Sequence, residues 1–121
     1  MIDHLSLHVR DLARSARFYA DVLRPLGAGV AYQDEHTAGL GPPGSPQLWL
    51  SPGTSPQPVH LAFKATDRAA VRAFYDAALA AGARDNGPPG LRPHYHEHYY
   101  GAFVLDPDGH NIEAVCHAPE P

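Results

Sequence analysis

The chain has 121 residues, 44% hydrophobic and 18% charged, the balance of one folded domain rather than a disordered segment. Its formal net charge of −4 argues against a nucleic-acid binder, and one cysteine, Cys116, excludes an internal disulfide framework. No apolar run reaches the length of a membrane-spanning helix, whereas nine histidines in so short a chain call for a chemical explanation.

In chain order, the first four residues lack the basic and apolar segments of a signal peptide, so a cytoplasmic location is expected. Residues 2–9 alternate Leu5, Leu7 and Val9 with His4, Ser6 and His8, the period of a half-buried strand. Asp11 sits where a helix N-cap belongs, and Leu12, Ala16, Tyr19, Leu23 and Leu26 recur at helical spacing. Pro25 and Gly27 end that helix, and short strands are expected at 29–33, 36–40 and 47–50.

The pattern then repeats. His60-Leu61-Ala62-Phe63 falls on His4-Leu5-Ser6-Leu7, Asp67 on Asp11 and Phe74-Tyr75 on Phe18-Tyr19, all at one offset. A strand at 59–65, an N-cap at Asp67 and a helix stopping at Gly82 follow, with later strands at 99–105 and 110–117. Asp106-Pro107-Asp108-Gly109 is a turn between these last two strands. The Pro/Gly-rich segments 39–58 and 87–93 read as loops that join or border strands. The expected class is α+β: two βαβββ modules, about 1–53 and 58–118, making one domain over residues 1–121.

The repeat places His4 and His60 at equivalent positions on the less apolar faces of equivalent strands. Glu113 interrupts an otherwise apolar strand, and a buried carboxylate needs a partner. Two readings follow from these residues alone. Either His4 and His60 are exposed strand residues and Glu113 pairs with an Arg or a His, or the three form a two-His, one-carboxylate metal site.

The opening run Asp3-His4-Leu5-Ser6-Leu7-His8-Val9-Arg10-Asp11, followed by Phe18-Tyr19, resembles the start of the vicinal oxygen chelate superfamily (glyoxalase I, fosfomycin resistance proteins, extradiol dioxygenases, bleomycin resistance proteins). The closing run Asp106-Pro107-Asp108-Gly109-His110-Asn111-Ile112-Glu113 resembles that family's last hairpin. The resemblance implies paired βαβββ modules around a partly open, barrel-like cup, and a homodimer whose metal ligands come from one chain or two. It implies a divalent metal (Fe, Zn, Ni or Mn) held by His4, His60 and Glu113. A fourth ligand position near Trp49 is filled by a residue that cannot ligate, so a three-ligand site fits better than that of glyoxalase I. Lys64 is the only lysine, and no basic cluster suited to a phosphonate stands out.

The second concentration is His94-Tyr95-His96-Glu97-His98-Tyr99-Tyr100. Read as the start of a strand, it puts His94, His96, His98 and Tyr100 on one face. The catalytic candidates are His8, His94, His96, His98, Tyr99 and Tyr100, as proton-transfer or substrate-orienting groups. His110 is expected to be structural, His36 and His117 peripheral, Trp49 a packing residue and Cys116 a core thiol. The leading expectation is a metal-dependent lyase, isomerase or dioxygenase acting on a small oxygenated molecule through neighbouring oxygens. The alternatives are a metal-free drug- or metabolite-binding protein like the bleomycin resistance proteins and a structural or regulatory remnant with an occluded cup. A small-molecule substrate is the expected partner, with no nucleic acid and no membrane.

Overall fold

The computed structural model describes residues 1–55 and 57–120; Pro56, within the segment read as a loop at 39–58, and Pro121 lie outside the described residues. The chain forms two compact units, Met1–Gln57 and Pro58–Pro121. Each is a βαβββ module with its own four-stranded mixed sheet, so the α+β class and the duplicated module are as expected.

Module one runs β1 (Leu5–Val9), α1 (Leu12–Leu23), β2 (Gly29–Gln33), β3 (Ala38–Gly41) and β4 (Leu48–Pro52). The sheet order is β1-β4-β3-β2, with β1 parallel to β4. The Asp11 carboxylate accepts the Arg14 amide and caps α1. The helix buries Ala16, Phe18, Tyr19, Val22 and Leu23, with Phe18 and Tyr19 edge to face at 5.1 Å. Gly27, at φ 82, ends the following 3₁₀ turn in the left-handed conformation that glycine adopts without strain.

Module two runs β5 (His60–Lys64), α2 (Arg68–Ala80), β6 (Arg84–Leu91), β7 (Tyr100–Leu105) and β8 (Asn111–Cys116). Its order is β5-β8-β7-β6, with β5 parallel to β8. Asp67 caps α2 through the Ala70 amide, and Val71, Phe74 and Ala78 are its fully buried face. The guanidinium of Arg68 lies 5.1 Å from the centre of the Tyr100 ring, so Tyr100 faces α2. By strand alternation Ala102 and Val104 face α2 as well, while Gly101 and Phe103 face the opposite, helix-free side with Glu113.

The segment read as a loop at 87–93 is instead mostly strand β6. Pro88 and Pro89 are tolerated because β6 is the sheet edge and the register shifts between Gly87 and Gly90, so their missing amides leave no paired position empty. In the opposite sense, residues 94–98, read as the start of a strand, lie in turns. The first strand also begins later than expected, at Leu5, which leaves His4 just ahead of it. No helix among the described residues is long and apolar enough to cross a membrane.

Candidate functional site

The site is built on the helix-free face of the second sheet. Glu113, on β8, is 1% exposed, and Phe103 stands directly opposite it on β7. Its Oε1 accepts a hydrogen bond from His60 Nε2 at 2.8 Å, and its Oε2 accepts one from the Tyr99 hydroxyl. His60 is the first residue of β5 and about half exposed, so it brings the buried carboxylate to the surface of a cavity.

That cavity, of about 450 Å³, is lined by His60, Tyr95, His96, Tyr99, Phe103 and Glu113. The volume is within the usual range for a small-molecule site. Tyr99 is one of its walls, its ring 4.9 Å from that of Tyr95 and 5.3 Å from each of His96 and His117. Burial first, then the hydrogen bond to Glu113, holds the Tyr99 phenol above its ordinary pKa, so it stays a hydrogen-bond donor.

Around it the imidazole tautomers follow from the hydrogen bonds. The His98 amide donates to His96 Nδ1 at 3.2 Å, so the His96 proton is on Nε2 and is donated to His117 Nδ1. The two rings meet edge to edge, 20° from parallel, with centres 4.6 Å apart. The turn conformation of 94–98, rather than a strand, is what lets adjacent Tyr95 and His96 line the same cavity.

The other candidates are not among the residues that line this cavity. His4, in module one, is exposed, with Nδ1 2.7 Å from the Asp3 carboxylate. His8, on β1, is exposed and packs over Gly53, where a Cβ would stand 2.5 Å from its Nδ1. His94 and His98 are in the turn but not among the cavity walls, and Tyr100 faces α2, where Arg72 donates to its hydroxyl at 3.3 Å. Tyr95 and Phe103 are site residues that sequence reasoning passed over, and His117, expected to be peripheral, meets His96 beside the cavity. Phe103 was accessible to that reasoning, because the turn at 106–109 sets a hairpin register that places Phe103 across from Glu113.

Among the described residues no group of three or more His, Cys, Asp or Glu side chains stands ready to hold a metal. The His60–Glu113 pair nevertheless suits one. Ligand atoms about 2.0–2.2 Å from a metal and at right angles to each other lie roughly 3 Å apart, close to the 2.8 Å between His60 Nε2 and Glu113 Oε1.

With this geometry in place, the comparisons identify the class. Residues 1–114 match the family model of the glyoxalase/bleomycin resistance protein/dioxygenase superfamily, and the chain belongs to that superfamily. Among solved structures it is similar to a glyoxalase/bleomycin resistance protein from Albidiferax ferrireducens, with 28% identity, a TM-score of 0.79, and coverage of 96% of this chain and 98% of that one. It shares its fold with a glyoxalase/bleomycin resistance protein/dioxygenase domain from Frankia, at 24% identity, TM-score 0.72 and 98% coverage of both chains. The same holds for a genomically encoded fosfomycin resistance protein from Listeria monocytogenes, at 19% identity, TM-score 0.73, and 98% and 93% coverage. No curated protein sequence matches the chain.

Proposed function

We propose that the two modules form one domain of a divalent-metal-dependent enzyme that acts on a small oxygenated organic molecule in the module-two cavity. The observation that carries this reading is the buried Glu113 carboxylate with His60 Nε2 2.8 Å from it on the adjacent parallel strand. His60 and Glu113 would hold the ion, with His4, at the equivalent position of the first module, as the proposed third ligand. Fe, Zn, Ni and Mn all suit this donor set. When bound, the metal supplies Lewis acidity to two neighbouring substrate oxygens, the chemistry of an isomerase, a lyase or an extradiol-type dioxygenase.

The remaining work belongs to the side chains. Tyr99 orients Glu113 by donating to Oε2, and its phenol stays protonated at neutral pH. Of the proton-transfer candidates, His96 and Tyr99 line the cavity. His96 holds its proton at Nε2, against His117, so the pair forms a two-ring path from the cavity wall outward. The reading also takes the chain as a homodimer.

One observation favours a second reading, a metal-free binding protein. Both oxygens of Glu113 are already hydrogen-bonded, by His60 and Tyr99, so the carboxylate is satisfied without an ion. Metal analysis of protein purified without an affinity tag separates the two. The enzyme reading expects near-stoichiometric metal in the wild type and loss of it in a His60→Ala, Glu113→Ala double variant. Equal, sub-stoichiometric metal in both proteins would leave the binding reading.

A further inference from the structure

Arg92 lies just beyond β6 and folds back over the sheet. Its guanidinium carbon is 5.4 Å from the centre of the Phe103 ring, which is a wall of the cavity. Its Nη2 donates to the Pro88 carbonyl at 2.8 Å, and its backbone amide donates to the Tyr99 carbonyl at 2.7 Å. The space it fills exists because β6 has glycines there. A Cβ at Gly90 would stand 3.1 Å from Nη1, and one at Gly87 would stand 3.2 Å from Nη2 and 3.0 Å from Phe103. Gly87 also has φ +143, a backbone conformation that residues with side chains rarely adopt. The guanidinium is thus fixed in a cradle, not swinging on a solvated stem.

Its charge is not spent within the protein. Among the described residues Arg92 has no carboxylate partner, and the Pro88 carbonyl takes one of its five N–H donors. A planar, half-buried fork with unused donors matches an oxyanion, which it can bind by two parallel hydrogen bonds. The chain as a whole is acidic, at net charge −4.

We propose that Arg92 recognises the oxyanion group, carboxylate or phosphonate, of a small planar acid bound in the module-two cavity. The planar part lies among Tyr95, Tyr99 and Phe103, the aromatic walls. The His60–Glu113 pair is on β5 and β8, and Arg92 lies over β6 and β7. Neighbouring strands are about 4.8 Å apart, so across the sheet Arg92 lies roughly 5–10 Å from Glu113, the reach of one substituted six-membered ring, and roughly 10–14 Å from His60. This inference deepens the proposed function and rests on its placing of the small molecule in this cavity.

The test uses three matched probes, benzoate, phenylphosphonate and neutral benzamide, titrated by ligand-observed NMR against the full chain. The wild type should bind at least one anion about tenfold more tightly than benzamide. Arg92→Gln should bind all three alike. Gly90→Ala, which keeps the charge but fills the cradle, should lose most of the preference. Preference for benzoate alone identifies a carboxylate, and for phenylphosphonate alone a phosphonate. Equal affinities in the wild type, no binding of any probe, or an anion preference that survives both substitutions overturns the proposal. Mn²⁺ titration of the same proteins by EPR separates the two readings. A wild type that binds no Mn²⁺ but loses its anion preference on Arg92→Gln refutes the metal reading and leaves this one standing. A wild type that binds Mn²⁺ but shows no role for Arg92 does the reverse.

Discussion

His110 holds Val59, the residue just ahead of His60, through its side chain. Its Nδ1 accepts the Val59 amide at 3.0 Å, and the neighbouring Asn111 amide donates to the Val59 carbonyl at 2.9 Å. Because Nδ1 accepts, the ring proton is on Nε2, which is buried with no hydrogen-bond partner among the described residues. The imidazole is therefore retained at some cost, and what it secures is the start of β5. His110→Ala should lower stability by about 2–4 kcal/mol, from the lost acceptor and the cavity left behind. It should also weaken Mn²⁺ binding about tenfold, since His60 follows Val59. Urea denaturation and EPR measure the two effects; unchanged Mn²⁺ affinity would make His110 a packing residue alone.

The two capping aspartates test whether the modules unfold together. Asp11 accepts the Arg14 amide at 3.1 Å and Asp67 the Ala70 amide at 2.7 Å. Replacing either by Ala should cost about 1 kcal/mol. If the modules form one domain, both substitutions shift the midpoint of a single urea transition. Two transitions, each moved by one substitution, would show two independently unfolding units.

Asp34 gives a pH dependence in the turn between β2 and β3. Its Oδ1 accepts the His36 and Thr37 amides, both at 2.8 Å, and its Oδ2 accepts the Tyr32 hydroxyl. The Tyr32 hydrogen bond first, then these amides, lower its pKa from 3.8 to about 2. A carboxyl whose folded pKa is depressed stabilises the fold above its unfolded value and loses that contribution as pH falls through the folded one. The wild type should therefore exceed Asp34→Asn in stability at pH 5, with the difference closing between about pH 4 and pH 2. Denaturation midpoints across that range check it; a constant difference would assign the effect to something other than titration.

The duplicated framework was readable because its signals are local. Capping aspartates, a helical stripe ending at a glycine, and a Pro-Asp-Gly turn each act within a few residues, and the repeat doubled them. Strand β6 was not readable: Gly87, Pro88, Pro89 and Gly90 carry the composition of a loop, and only an edge position with shifted register makes a strand of them. The same composition hid Arg92, whose place depends on what those glycines leave out. The His60–Glu113 contact was implied by the need of a buried carboxylate for a partner. The meeting of His96 with His117 was not, since it joins a turn to the far end of β8 and no periodicity links them.

Gly101 is the residue on which the carboxylate and the phenol both lean. A Cβ there would stand 3.2 Å from Tyr99 Cε1 and 3.3 Å from Glu113 Oε2, closer than ordinary packing. Glu113 is wholly buried on β8, whereas Tyr99 ends a turn, so Tyr99 is the group that would yield. Gly101→Ala should therefore act by lifting the Tyr99 hydroxyl from Glu113, costing about 1–3 kcal/mol in stability. It should also weaken Mn²⁺ binding about tenfold. Tyr99→Phe removes the same hydrogen bond without crowding and should cause a similar loss of affinity. If both act through that one contact, the double variant binds Mn²⁺ no more weakly than the worse single variant. Additive losses would instead mean that Gly101 shapes the carboxylate directly, with the phenol as a bystander.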